Sequence, residues 1–183
     1  MDDKQRLIIE QAIALADEHG LDAVSMRAVS QRLGLSSMAL YPYIGGKDAL
    51  LDGMVEGLFA EMLAMAPADG SWQDRLRAVS RAVRALARRH PGAYPLIVSR
   101  PGAAAETRRL DDLLAGILGS AGVPEPEVPR LSRLLSTLLL GFANAEINGH
   151  FGAGPASPDE WDAEFAADLD DEIRMIEQLV TRT

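Results

Sequence analysis

An all-α fold is predicted by three features of this 183-residue sequence. Apolar residues recur at helical spacing along most of the chain, and no segment alternates as a half-buried strand would. Two short helical segments near the N-terminus are separated by a tight turn at Gly34-Leu35-Ser36. The segment from Val128 to about Gly149 is apolar on most of its circumference, which is typical of a helix buried on several sides. We expect about nine helices.

The first three helices are predicted to form a compact N-terminal unit. The first ends at His19-Gly20, where glycine can close a helix. Ser25 is placed to cap the second helix, and Ser36 to cap a third, very short one that runs through Tyr41. Pro42 is expected to stop that third helix, because proline lacks the backbone N–H and disfavours helical geometry in the residue before it.

A fourth helix is predicted at about 47–65, after the break at Gly45-Gly46. Gly53 and Gly57 lie one turn apart inside it, and each costs about 1 kcal/mol relative to alanine. We interpret them as permitting close packing or bending where the N-terminal unit joins the rest. The loop Pro67–Ser71 marks a further boundary between this N-terminal part and the body.

The body is predicted to contain the remaining helices. The fifth carries a stripe of arginines, interpreted as a solvated face or as one that pairs with the acidic start of the last helix; a second nucleic-acid surface is the alternative. That stripe comprises Arg77, Arg81, Arg84 and Arg88. After a broken stretch, another helix is centred on Leu110–Ile117. The capping box Ser157-Pro158-Asp159-Glu160 begins the final helix.

Charge is distributed unevenly along the chain. Taken over the whole chain, the net charge of −9 argues against a nucleic-acid partner. However, no acid occurs between Asp22 and Asp48, whereas Arg27, Arg32 and Lys47 lie in or beside that stretch. Because salt screens distant charges within about 10 Å, this segment can present a cationic face in an acidic protein.

Several classes of function are disfavoured by composition. The absence of cysteine excludes disulfides and thiolate nucleophiles. Three scattered histidines and the lack of a glycine-rich phosphate loop predict neither an enzyme nor a cofactor. Glu146 and His150 are four apart, but two ligands make a poor metal site, so no metal is predicted. Without a long apolar run or a signal peptide, a cytoplasmic protein with no membrane partner is expected.

Two helices joined by a tight turn, with a third helix behind them, are typical of a DNA-binding helix-turn-helix. An ordinary helical hairpin with capping serines and surface tyrosines is the alternative reading of the same pattern. Hydroxyl groups and cations suit phosphates and base edges, and small or apolar side chains suit a thymine methyl. The DNA-binding candidates are Arg27, Ser36, Ser37, Met38, Tyr41, Tyr43 and Lys47.

The order of residues in this region closely resembles the TetR family of bacterial regulators. The resemblance runs without a gap from about Gln5 to Met62 and is carried by ADEHGLDAVSMRAV at 16–29, RLGLS at 32–36, ALY at 39–41 and KDALL at 47–51. It implies that Tyr41 and Lys47 contact phosphates, and that Arg27, Ser37, Met38 and Tyr43 lie at or near the DNA. Pro42 departs from the family pattern, as does Ser30, where alanine is usual.

The resemblance also implies a function for the whole chain. We expect residues 1–47 to form the DNA-binding domain and residues 48–183 a helical domain for ligand binding and dimerisation. A homodimer would bind a palindromic operator in double-stranded DNA as a repressor, and a small-molecule effector would release it. Because of Pro42, the alternative is a helical ligand-binding or scaffolding protein with weakened DNA binding.

Candidates within the body follow from the same expectation. Polar residues interrupt the end of the apolar helix at 128–149. We interpret them either as contacts to a ligand or as the solvent-exposed end of that helix. The ligand-binding candidates are Trp72, Tyr94, Phe142, Asn144 and Glu146. The dimer-interface candidates are Leu131, Leu135, Leu138, Phe165, Leu169, Ile173 and Ile176, and the alternative is that these only complete the core of a monomer.

Overall fold

A computed structural model describes residues 2–66, 69–100, 105–151 and 158–181 of the chain. Within those ranges the backbone forms nine α-helices, three short 3-10 turns and no strand, which confirms the predicted all-α fold. The α-helices are α1 Asp3–His19, α2 Met26–Arg32, α3 Tyr41–Ile44, α4 Lys47–Met65, α5 Trp72–Arg89, α6 Pro95–Ser99, α7 Ala105–Ser120, α8 Val128–Ile147 and α9 Pro158–Thr181. The 3-10 turns are Leu21–Ala23, Ser37–Ala39 and Glu125–Glu127.

The chain divides into two compact units. The first comprises Met1–Met62 and Ala85–Arg108, and the second comprises Leu63–Arg84 and Arg109–Thr183. This division by contacts does not test the boundary at residue 47 that we expect between the DNA-binding domain and the ligand-binding domain, which remains a prediction. No helix among the described residues is both long enough and apolar enough to cross a lipid bilayer.

Close packing of α1 against α4 organises the first unit. Ile9 is buried in α1, and a methyl group built on Gly53 would lie 2.5 Å from its Cδ1 atom. A methyl on Gly57 would lie 3.1 Å from Cγ2 of the same side chain. The two glycines therefore leave room for the buried Ile9 side chain, which would have to shift if alanine stood at either position.

The helix-turn-helix begins at a capped helix and turns on a glycine. The Ser25 side-chain oxygen accepts the backbone N–H of Ala28 at 3.1 Å, as the sequence predicts for the start of α2. Gly34 has φ of +69°, in the left-handed region that favours glycine. The next segment then begins with the 3-10 turn Ser37–Ala39.

The expectation that the third helix stops at Tyr41 is wrong. The 3-10 turn leads directly into α3, which continues to Ile44, and Pro42 lies in its first turn. The N–H groups of a first turn have no partner within the helix, so a proline there costs no hydrogen bond. Gly45, with φ of +80°, ends α3 by donating its N–H to the Tyr41 carbonyl.

The later part of the first unit contains a short helix in the stretch that the sequence pattern indicates as broken. Pro95–Ser99 forms α6, which has proline in its first turn and buries Leu96 and Ile97. Arg100 follows α6 and places its Nη2 atom 2.7 Å from Asp52 of α4. The ion pair thus connects the end of α6 to α4 within the unit.

The second unit has an apolar core and a network of ion pairs. Side chains from α5, α7, α8 and α9 are buried in that core, among them Leu76, Leu114, Ile117, Leu139 and Leu169. The predicted start of α9 at Ser157, like the linker 152–156, lies outside the described residues.

In the arginine stripe of α5, Arg77 and Arg84 pair with acids of α8 and α9, whereas Arg81 is exposed to solvent. Of these pairs, only that of Arg84 with Asp162 involves the start of the last helix. The Arg84 guanidinium, 7% exposed, donates from Nε and Nη2 to the two Glu146 carboxylate oxygens, both at 2.7 Å. Its Nη1 donates to Asp162 at 2.8 Å. Arg77 donates to Asp170 at 2.8 Å in the same manner. These pairs fix the register of three helices.

Candidate nucleic-acid interface

The helical segment 37–44 presents side chains that reach into solvent. Met38 is 74% exposed and Tyr41 is 45% exposed, although both side chains are large and mainly apolar. Ser36, just before the segment, is also exposed. An exposed methionine and tyrosine on a short helical segment make its surface partly apolar, which suits contact with base edges in a DNA groove.

Cations flank this surface. Arg27, in the first turn of α2, and Lys47, at the start of α4, are both exposed and make no ion pair with any described residue. Arg32 is different, since its guanidinium donates to both Glu18 carboxylate oxygens at 2.5 and 2.6 Å. Of the three cations in the acid-poor segment, only Arg27 and Lys47 are therefore available to phosphates.

Ser37 takes part in an internal contact. Its hydroxyl lies 3.2 Å from that of Ser30, which is 1% exposed and donates a hydrogen bond to the Arg27 carbonyl at 2.9 Å. Ser30, the position where the family usually has alanine, thus joins α2 to the start of the segment 37–44. Ser37 is half-buried, unlike the exposed Ser36 beside it.

Tyr43 is brought together with Lys4, a residue that the sequence pattern does not single out. The Lys4 ammonium donates a hydrogen bond to the Tyr43 hydroxyl at 3.1 Å, and it lies 5.2 Å from the centroid of that ring. This hydrogen bond raises the pKa of Lys4. No sequence signal identifies the pair, because 39 residues separate its members and neither belongs to a spacing pattern.

The five ligand-binding candidates do not share one location. Tyr94 is completely buried in the first unit, whereas Trp72, Phe142, Asn144 and Glu146 belong to the second. The Glu146 carboxylate is paired with Arg84, so it is neither the exposed helix end nor an open ligand contact. Within the described ranges, no three His, Asp or Glu side chains are grouped to hold a metal ion.

Phe142 lies in an aromatic cluster beside a groove between α8 and α9. Its ring centroid is 5.0 Å from that of Phe151 and 5.3 Å from that of Phe165. The groove encloses about 500 Å3 and is lined mainly by apolar side chains. Burial, reinforced by the Asp168 charge, raises the pKa of the groove residue Glu172 to about 7.

The dimer-interface candidates separate into two sets. Six of them are buried within this chain, at 3–9% exposure: Leu131, Leu135, Phe165, Leu169, Ile173 and Ile176. Leu138 is 42% exposed. The exposed apolar side chains that accompany it on α8 and α9 are Leu134, Met175 and Leu179. The apolar periodicity of these helices marks their inner faces, and the outer apolar side chains lie between those positions.

Two family models match this chain. One, described as bacterial regulatory proteins of the tetR family, matches residues 8–54. The other, a tetracyclin repressor-like C-terminal domain, matches residues 76–170, which is more than half of the chain. The chain belongs to the TetR family. The resemblance inferred from residues 5–62 is thereby confirmed, and it extends into the body.

Curated relatives of this TetR-family chain include transcriptional regulators. The HTH-type transcriptional repressor DrrR1 of Streptomyces coeruleorubidus is 31% identical over 143 residues, covering 76% of this chain and 52% of that protein. The class A tetracycline repressor from transposon 1721 of Escherichia coli is 35% identical over 99 residues, covering 52% of this chain and 46% of that repressor. The chain spans about half the length of these relatives.

The fold is also that of solved TetR-family structures. SCO7222 of Streptomyces coelicolor is similar with a TM-score of 0.80 and 22% identity, over 98% of this chain and 99% of that one. BioQ, with its double-stranded DNA operator, has a TM-score of 0.76 at 19% identity, over 94% and 97% of the two chains. ActR of the same Streptomyces species, in complex with actinorhodin, has a TM-score of 0.76 at 23% identity, over 94% of both chains.

Proposed function

We propose that this chain is a DNA-binding transcriptional regulator, and that it acts as a repressor which a small molecule releases from its operator. The observation that carries the proposal is the exposure of Met38 and Tyr41 in a segment preceded by Arg27 and followed by Lys47, two exposed cations that form no ion pair with any described residue. Membership of a family of bacterial regulators supports the same function.

The contacts divide into two kinds. Arg27, Tyr41 and Lys47 bind phosphates and set the orientation of the segment 37–44 in the major groove. Ser36 and Met38 face the base edges, where a hydroxyl can donate or accept and a thioether chain can pack on a thymine methyl. Because Pro42 leaves α3 intact, it supplies no reason to expect weakened DNA binding, and the scaffolding alternative loses the feature that suggested it.

A homodimer follows from the exposed apolar side chains of α8 and α9. Leu134, Leu138, Met175 and Leu179 are each 42–54% exposed, and a second copy of the chain would remove them from water. Such a dimer carries two helix-turn-helix motifs related by two-fold symmetry, so a palindrome in double-stranded DNA is the operator we expect. The six buried candidates stabilise the helices that present this surface.

Release by an effector requires that the small molecule bind one conformation better than the other. Solved ActR contains actinorhodin, and DrrR1 is named a repressor. By analogy we propose a small-molecule effector for this chain, with the aromatic cluster around Phe142 as one contact surface.

The proposal is tested by fluorescence anisotropy with a labelled duplex from the region upstream of the chain's own gene. We expect affinity to fall steeply with salt and to drop for Tyr41→Ala and for Lys47→Ala. Arg81→Ala, an exposed cation on α5, is the matched control and should leave affinity nearly unchanged. Equally weak binding to all duplexes, unaffected by Lys47→Ala, would contradict DNA regulation and favour the scaffolding protein.

A further inference from the structure

Lys4 lies at the start of α1, yet its ammonium group is held beside the segment 37–44. The hydrogen bond from Nζ to the Tyr43 hydroxyl and the approach of Nζ to the Tyr43 ring both fix its position. The backbone at this site is fixed as well, because the Asp2 carboxylate caps α1 by accepting the N–H of Gln5 at 2.7 Å. Lys4 is therefore positioned from two directions.

Tyr43 is itself anchored. It is half-buried and lines an apolar cavity of about 310 Å3, together with Leu7, Ile8, Leu33 and Leu40. Since the cavity walls come from both α1 and the helix-turn-helix, the phenol bridges the two. The Tyr43 hydroxyl accepts the hydrogen bond from the Lys4 ammonium, and Lys4 lines the same cavity.

Asp2 and Asp3, the neighbouring acids, have partners of their own, although the charge of Asp2, after the hydrogen bond to Tyr43, contributes to the raised pKa of Lys4. The Asp2 carboxylate is engaged in capping, and Asp3 accepts from Arg6 at 3.1 Å. Lys4 makes no ion pair with any described residue, and it is exposed to solvent. An ammonium carries three donors and Tyr43 accepts one of them, so two remain available.

We propose that Lys4 binds a phosphate of the DNA at the edge of the groove entered by the segment 37–44, and that Tyr43 is its positioning residue. This inference rests on the proposed function. A flexible, compact ammonium suits a phosphate better than a base edge, because it acts as a point charge without a fixed planar geometry. Tyr43 removes part of that flexibility before binding, which lowers the entropic cost of the contact.

The first test measures the salt dependence of operator binding for the full chain, using anisotropy with the same upstream duplex. We expect Lys4→Met to weaken binding by about tenfold, as for loss of one charge-assisted hydrogen bond. The slope of log affinity against log salt should fall by about 0.9 for each phosphate that the variant no longer neutralises. Lys4→Arg should restore the slope. Arg6→Met is the control for net charge, because Arg6 is a neighbouring exposed cation already paired with Asp3.

The second test uses Tyr43→Phe, which keeps the ring in the cavity wall and removes only the hydroxyl. If Tyr43 acts through Lys4, this change lowers affinity in the wild-type background and has no further effect in the K4M background. Equal reductions in both backgrounds would show that Tyr43 contacts the DNA itself and would overturn its positioning role. Thermal unfolding of each variant separates these effects from loss of folding.

The outcomes are distinguishable from failure of the proposed function. An unchanged salt slope for Lys4→Met, with wild-type binding still steeply salt-dependent, would overturn the phosphate contact and leave the regulator standing. A wild-type chain that shows no salt-dependent operator binding would overturn both.

Discussion

The Asp17 carboxylate of α1 lies against His90, which directly follows α5 and is 73 residues away in the sequence. Its Oδ2 atom is 2.7 Å from Nδ1 of His90, and its Oδ1 atom accepts the backbone N–H groups of Gly92 and Ala93 at 3.1 and 3.0 Å. On the other side of the imidazole, Nε2 lies 3.2 Å from the Glu61 carboxylate of α4. The part-buried His90 imidazole thus connects α1, α4 and the segment after α5 within the first unit.

Asp17→Ala is expected to destabilise the first unit by about 2–3 kcal/mol, because two backbone N–H groups and the imidazole lose their acceptor in a partly buried site. Asp22→Ala, at an exposed position in the adjoining 3-10 turn, should change the free energy of unfolding by less than about 0.5 kcal/mol. Chemical denaturation measures both values. Similar free energies for the two variants would contradict a structural role for Asp17.

Arg84→Met is expected to cost about 3–5 kcal/mol, because it leaves the Glu146 carboxylate, 10% exposed, without its bidentate partner. Adding Glu146→Leu should recover most of that destabilisation, since an apolar pair of similar volume often replaces a buried ion pair without cost. Arg81→Met, on the exposed face of the same helix, is the control. If the double variant is less stable than Arg84→Met alone, loss of the Arg84 partner by the Glu146 carboxylate does not explain the destabilisation.

Gly53→Ala is expected to destabilise the chain by about 1 kcal/mol, although alanine is the better helix former. The added methyl would lie 2.5 Å from Cδ1 of Ile9. Ile9→Val removes that atom, so the double variant should be more stable than the sum of the single effects predicts. Gly116→Ala, whose nearest neighbour would be 3.8 Å away, should instead be neutral or stabilising. Additive free energies in the Ile9–Gly53 cycle would exclude the contact as the cause.

Glu172 predicts a pH dependence of stability. Its pKa is raised from 4.5 to about 7. Between these two pH values, the carboxyl therefore keeps its proton in the folded chain but has released it in the unfolded chain. The free energy of unfolding therefore falls as pH rises through that interval, and it levels off above it. Glu172→Gln should remove this fall. The free energy of unfolding of the variant, relative to that of the wild type, should therefore be larger at about pH 8 than at about pH 4.

Thermal unfolding across that pH range checks the prediction for Glu172. Glu164→Gln, at an exposed position on α9, is the matched control and should follow the wild-type profile. A Glu172→Gln profile parallel to that of the wild type would show that the carboxyl has an ordinary pKa in the folded chain.

Local patterns account for what could be predicted of the helix-turn-helix. The Ser25 cap, the Gly34 turn and the order of residues between 16 and 51 depend on neighbours within a few positions, so they can be read along the chain. The effect of Pro42 could not be predicted in this way, because it depends on where the helix begins. The 3-10 turn before α3 puts it in a first turn, where no N–H is needed.

By itself, the sequence determined the all-α class, the family and the position of the helix-turn-helix segment, because helical periodicity and a gap-free motif are local properties. Only the tertiary structure decided which charges remain available: Arg32 is paired with Glu18, whereas Lys4 is placed beside Tyr43. The same holds for the apolar residues of α8 and α9, where periodicity marks the inner face and burial reveals the outer one. Side-chain partners tens of residues apart meet only when helices pack, and no spacing rule encodes which of them will meet.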